Sequence, residues 1–284
     1  MTPWTDRSGR ISPLKLVVFI AAFVPGAILA ASLWLGTAGP KPLEVAIHET
    51  GDWAVRFLLL TLAVTPMRRI ADWPKLIAVR RLLGLTALAY AAIHLGLYVV
   101  DQKFALAHVA SEIALRIYLT IGFTALLGLV ALGATSTDAA IRRLGGTWQR
   151  LHRIVYAIAV LAIVHFFLQS KIDVTQATLM AGLFMLLMIY RGMHRRGIAL
   201  SALNLALAAV AATAATMAVE TLWYALTTGV DPARIFLANF DFSYTVRPAW
   251  WVGATGLAVA LVGLVRKRPA GSKRGRMLAR EAAE

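Results

Sequence analysis

Cysteine is absent from all 284 residues. That absence excludes disulfides, iron–sulfur clusters and the CxxCH attachment of covalent c-type heme. Charge is scarce as well: Asp, Glu, Lys and Arg make up 15% of the chain against 59% hydrophobic residues, with a mean hydropathy of +0.70. The sequence contains no GxGxxG fingerprint and no stretch patterned as a dinucleotide-binding fold, so it takes no hydride from a nicotinamide on its own. Its longest polar stretches, residues 227–248 and 267–284, are too short to build a soluble core. What these absences leave is an all-α polytopic membrane protein.

Apolar runs of the roughly 20 residues needed to cross a bilayer occupy residues 14–35, 45–64, 77–100, 113–134, 154–169, 174–190, 198–226 and 249–265. Eight spans are therefore expected. The second is interrupted by Asp52 and Arg56, and the fifth reaches full length only through the polar turn at residues 151–153. The first is longer than the apolar region of a usual signal peptide and lacks a convincing cleavage site, so it reads as a retained span.

The formal net charge of +15 resembles a nucleic-acid signature until it is sorted by loop. With the amino terminus placed in the cytoplasm, 22 of the 29 Lys+Arg fall in cytoplasmic segments, at residues 7–15, 68–81, 142–153, 191–196 and 266–280. This is the positive-inside pattern, with both termini cytoplasmic and lipid, not nucleic acid, as the anionic neighbour. Trp34, Trp53, Trp73, Trp148, Trp250 and Trp251 stand at span ends, as an interfacial aromatic belt does.

Histidines inside such helices are costly without a partner and point to function, and iron is a frequent partner there. His94 lies seven residues before Asp101, and His165 lies six before Lys171. At about 1.5 Å per residue both sit roughly 10 Å inside the outer boundary, at equal depth on separate helices. Two imidazoles so placed can hold one heme iron from both faces, a bis-histidine b-type site on the periplasmic side. His152 is about 20 Å from His165 along the axis, so one iron cannot use both. Flanked by Arg150 and Arg153, His152 reads either as the ligand of a second, inner heme or as an interfacial histidine. His48, His108 and His194 fall in or beside loops and are expected to be solvated.

Arg56 and Arg116 lie in the outer halves of the second and fourth spans, where heme propionates need cations. Arg56 also has Asp52 one turn away, so a local ion pair accounts for it equally well.

Three blocks carry a resemblance to a known family: TGDWAVRFLLLTLAVTPMRR at 50–69, RRLLGLTALAYAAIHLGLY at 80–98 and TSTDAAIRRLGGTWQRLHRIVYAIAVLAIVHFF at 135–167. Together they resemble the ferric-reductase-like transmembrane domains, and within them the MsrQ (formerly YedZ) family of heme-binding membrane subunits of bacterial periplasmic methionine-sulfoxide reductases. The resemblance covers residues 10–195. It implies a six-helix bundle at residues 10–196 with heme b, flavin mononucleotide, and heme-associated histidines at His94, His152 and His165. It further implies an inner-membrane subunit that draws electrons from the quinone pool. A periplasmic molybdopterin enzyme would receive them and perform the methionine-sulfoxide chemistry, leaving this chain no catalytic residue of its own.

Beyond that domain the chain adds two spans at residues 197–266 with a periplasmic loop at 227–248, then a basic cytoplasmic tail at 267–284. The loop is expected to cap the outer heme, to dock the reductase, or to brace the bundle. A separate flavin reductase is the other donor considered, and the basic segments 68–81 and 142–153 suit a flavin phosphate or anionic lipid equally. Two competing functions remain: a transmembrane metal or oxygen reductase working alone, and a solute transporter with histidine proton relays.

Overall fold

The computed structural model describes residues 4–5, 8–171 and 173–266. Arg7 and the basic tail expected at 267–284 lie outside the described residues. Among the described residues there is no β-strand, and every expected span is met by helix. These helices are α1 (Pro13–Trp34), α2 (Pro42–Ile70), α3 (Arg80–Asp101), α4 (Leu106–Leu115), α5 (Ile117–Ala134), α6 (Asp138–Leu144), α7 (Gly146–Leu151), α8 (Val155–Ser170), α9 (Thr175–Arg195), α10 (Ala202–Thr228), α11 (Pro232–Ala238) and α12 (Pro248–Arg266). Short 3₁₀ turns at Pro74–Val79 and His152–Ile154 lead into α3 and α8. Seven of the helical segments are long and apolar enough to cross a membrane, so the chain is a multi-pass membrane protein.

The expected second span, α2, is not among those seven. It is a continuous helix of 29 residues, but Glu49, Asp52 and Arg56 break its apolar run. The fourth span also begins later than the hydropathy pattern indicates. Arg116 stands between α4 and α5 in an extended conformation (φ −104°, ψ 107°), so the span starts at Ile117 and Arg116 is a junction residue. Glu112, one turn back, pairs with the Arg116 guanidinium and stabilises that position at the end of α4.

The described residues divide into two compact units, one within residues 4–65 and 75–184 and the other within residues 66–74 and 185–266. In the first unit α5 packs against α8, and Gly128 makes the approach possible: a methyl group there would lie 2.7 Å from Ile158 Cγ1. Membrane helices lack a hydrophobic drive toward one another and associate through such close backbone contacts. Apolar side chains that face away from the packing, such as Val17, Ile20, Phe23 and Ile28 of α1, remain exposed as a lipid-facing surface requires.

Pro25 sits inside α1 and deprives the helix of one backbone donor. Tyr90 of α3 repairs the neighbouring turn. Its hydroxyl accepts from the Gly26 N–H at 2.9 Å and donates to the Ala22 carbonyl at 2.9 Å, two groups that bond each other in an uninterrupted helix. Tyr90→Phe is expected to lower stability by about 1 kcal/mol, the scale of interhelical hydrogen bonds in membranes. Thermal unfolding in detergent measures it, and an unchanged transition would assign the bridge no weight.

In the second unit, α10 presents Leu205, Ala208, Ala209, Ala212, Thr216, Met217 and Glu220 as a buried stripe at three- and four-residue spacing. α12 packs against it so closely that a methyl group on Gly256 would lie 2.5 Å from Ala209 Cβ.

Candidate functional site

His94 of α3 and His165 of α8 lie with ring centroids 6.3 Å apart and planes inclined at 79°. Both are half-buried. His94 Nδ1 lies 2.7 Å from the carbonyl oxygen of Ile47 in α2, and His165 Nδ1 lies 2.8 Å from that of Tyr118 in α5. A carbonyl can only accept, so each Nδ1 carries the proton and donates. Each Nε2 is therefore the nitrogen with the lone pair, the form in which imidazole ligates a metal while its other nitrogen is held by a second group.

The separation suits one ion between the rings. Two metal–imidazole bonds of about 2 Å in line, with half the width of each ring added, span about 6 Å. The pair also lacks a carboxylate or third histidine to complete a compact metal site: no cluster of three or more His, Asp and Glu able to hold an ion exists among the described residues. Two opposed imidazoles without further protein donors fit a metal whose remaining ligands come from a macrocycle.

His152 stands apart in a different setting. Its ring stacks on Trp148 at 3.9 Å, and its Nε2 is 3.1 Å from Thr135 Oγ1. The single Thr135 hydroxyl proton is directed to the Ala131 carbonyl at 2.8 Å. With its proton so used the oxygen can accept from His152 Nε2–H, the tautomer that leaves Nδ1 as the lone pair for a ligand.

Arg56 is tied on three sides, to Asp52 at 3.6 Å, to Gln176 Oε1 at 3.1 Å and over the Trp53 ring at 4.9 Å. Arg116 pairs with Glu112 and reaches the Tyr118 hydroxyl at 3.2 Å, with 53% of its side chain exposed. Both guanidiniums have more donors than these partners use. His48, His108 and His194 are exposed as expected, although each lies within a helix (α2, α4 and α9) and not in a loop. The sequence did not mark Ile47, Tyr118 or Gln176, because a backbone carbonyl leaves no trace in residue type and Gln176 lies 120 residues from Arg56.

The sequence profile described as "Ferric reductase like transmembrane component" matches residues 50–163. The chain is 39% identical over 192 residues to the protein-methionine-sulfoxide reductase heme-binding subunit MsrQ of Xanthomonas campestris pv. campestris, covering 65% of this chain and 88% of that protein. The chain belongs to the MsrQ family. Proteins of the same name from Azospira oryzae (42% identical over 159 residues, 55% of this chain and 68% of that protein) and Herminiimonas arsenicoxydans (40% over 159 residues, 55% and 73%) are similarly related. No solved structure matches the chain. The profile match includes His94, His152, Arg56 and Arg116 and stops two residues before His165. About a third of this MsrQ-family chain lies outside the match to the Xanthomonas protein.

Proposed function

We propose that this protein is the heme b electron-transfer subunit of a protein-methionine-sulfoxide reductase system, in which His94 and His165 would hold the heme iron. The observation that carries this is the pair of imidazoles at 6.3 Å, each with Nδ1 committed to a backbone carbonyl. A b-type heme held by two imidazoles exchanges single electrons without a change of ligands. The protein's part is to present two neutral Nε2 atoms at one depth, to keep them aligned through Ile47 and Tyr118, and to exclude bulk water with the apolar faces of its helices. Arg56 and Arg116 are the proposed cations for the propionates, through donors their present partners leave free. His152 is the proposed ligand of a second heme, through Nδ1.

In this reading residues 10–196 form the heme domain of an inner-membrane protein with cytoplasmic termini. Electrons come from the quinone pool, and the acceptor is a periplasmic molybdopterin subunit that reduces methionine sulfoxide. Flavin mononucleotide enters as a phosphate-bearing ligand, for which Arg80, Arg81, Arg150 and Arg153 supply cations. Arg81, in the first turn of α3, is held at 2.8 Å by Asp138 at the start of α6.

The test is the reduced-minus-oxidised spectrum of the purified full chain after heme-replete expression, followed by reduction with a quinol. A low-spin b-type spectrum, reoxidised by methionine sulfoxide only when the molybdopterin subunit is present, is expected. Protein without heme would overturn the reading. Reoxidation without the subunit would make the chain a reductase on its own.

The loop at 227–248 is the proposed docking surface for that subunit. It exposes 50% of Phe240, 55% of Phe242 and 94% of Tyr244. Replacing Phe242 and Tyr244 together with serine is expected to slow electron delivery about tenfold, the scale on which aromatic residues at an interface contribute, while the heme spectrum stays as it was. Delivery at the original rate would leave the loop a bracing element.

A further inference from the structure

The two candidate ligands are set in place by one device used twice. Each histidine lies 47 residues after the carbonyl it binds, His94 after Ile47 and His165 after Tyr118. In both cases the residue four places after that carbonyl is glycine, Gly51 on α2 and Gly122 on α5. A helical side chain leans toward the amino terminus and covers the turn before it, so a side chain at position 51 or 122 would cover the carbonyl that the imidazole needs. The distances bear this out. A methyl group on Gly51 would lie 2.9 Å from His94 Nδ1 and 3.1 Å from Cε1. One on Gly122 would lie 2.7 Å from His165 Nδ1, 2.8 Å from Cε1 and 2.9 Å from Cγ. A ring that yields to such a methyl group does so at the expense of its 2.7 or 2.8 Å bond to the carbonyl.

We propose that Gly51 and Gly122 are positioning residues for the paired imidazoles, each opening the groove through which a histidine reaches the carbonyl one turn back and so holds Nε2 toward its ligand. The proposal rests on the reading of His94 and His165 as axial ligands. Each glycine acts only through the ring beside it. Loss of the carbonyl bond frees the ring to tilt and lowers its basicity, which weakens ligation and favours ferrous over ferric iron.

The test compares heme-loaded full-length protein with Gly51→Ala, Gly122→Ala and Gly96→Ala by absorption, electron paramagnetic resonance and redox titration. Gly96 lies two residues from His94, about 200° around α3, and a methyl group there meets nothing within 4 Å. Gly122→Ala is expected to convert low-spin to high-spin heme, release heme about tenfold more readily and raise the midpoint potential. Gly51→Ala, with the looser contacts, is expected to do the same less strongly, and Gly96→Ala to match the parent. Unchanged spin state and potential in both His-facing variants would overturn the proposal.

A second readout needs neither heme nor a folded variant. In ligand-free parent protein labelled with ¹⁵N-histidine, His94 and His165 are expected in the Nδ1-protonated tautomer. Nε2-protonated rings would overturn the positioning role. A parent chain that shows the expected tautomers yet takes up no heme would instead overturn the proposed function.

Discussion

Replacing either His94 or His165 with alanine is expected to abolish the low-spin b-type spectrum of the purified protein, and replacing His152 is expected to leave that outer signal in place. The argument is geometric. One imidazole cannot take the place of two, and among the described residues no further His, Asp or Glu joins the pair in a metal-holding cluster that could replace the missing ring. The two alanine variants need not behave identically. In His165→Ala, His94 keeps its 2.7 Å bond to Ile47 and remains a single oriented ligand; in His94→Ala, Tyr118 orients His165 in the same way. Each is therefore expected to retain at most a five-coordinate, high-spin heme. Its affinity should be lowered at least about 10–100-fold, the penalty for disturbing the surroundings of a metal ligand alone. Pyridine hemochrome quantitation beside the absorption spectrum separates heme loss from a change of coordination. Two variants that both keep full low-spin heme would exclude this pair as the ligands. Loss of the outer signal in His152→Ala would join His152 to a site from which its Thr135 and Trp148 contacts separate it.

Much of this site was legible because depth in a membrane helix can be counted in residues. Seven residues before Asp101 and six before Lys171 placed His94 and His165 level, and their rings meet at 6.3 Å. Hydropathy locates the helices because lipid demands long apolar runs, and it starts the fourth span four residues before the helix that begins after the break at Arg116. Arg56 and Arg116 illustrate the limit. Residue type made them cations inside the outer halves of two spans, whereas the fold engages one with Gln176 across 120 residues and makes the other a helix junction. The glycines beside the two histidines stood in plain view in TGDW and TIGF. Only coordinates reveal that each faces an imidazole, because the pattern links residues 43 positions apart on different helices.

Glu220 had the weakest local signal of all, a lone carboxylate within an alanine-rich span whose cation lies 27 residues away past a loop. It is 1% exposed, and its Oε1 pairs with Arg247 at 3.3 Å, while Arg247 keeps a third of its side chain in contact with solvent. Removing a carboxylate's partner inside a protein costs far more than removing the pair, because the remaining charge has lost its solvent and its counter-ion together. Arg247→Met is therefore expected to destabilise the second unit by roughly 3 kcal/mol, the lower end of the range for broken buried pairs, since Arg247 is partly screened by solvent. Glu220→Gln combined with Arg247→Met removes both charges and is expected to recover most of the loss. Thermal unfolding of the three variants in one detergent forms the double-mutant cycle that isolates the pair. Additive losses, with no recovery in the double variant, would show that Glu220 gains nothing from Arg247. The absence of cysteine offers a local readout as well: a single thiol introduced on α12 at Ala260, which is 6% exposed, would be labelled faster in Arg247→Met than in the double variant if the pair holds this unit closed.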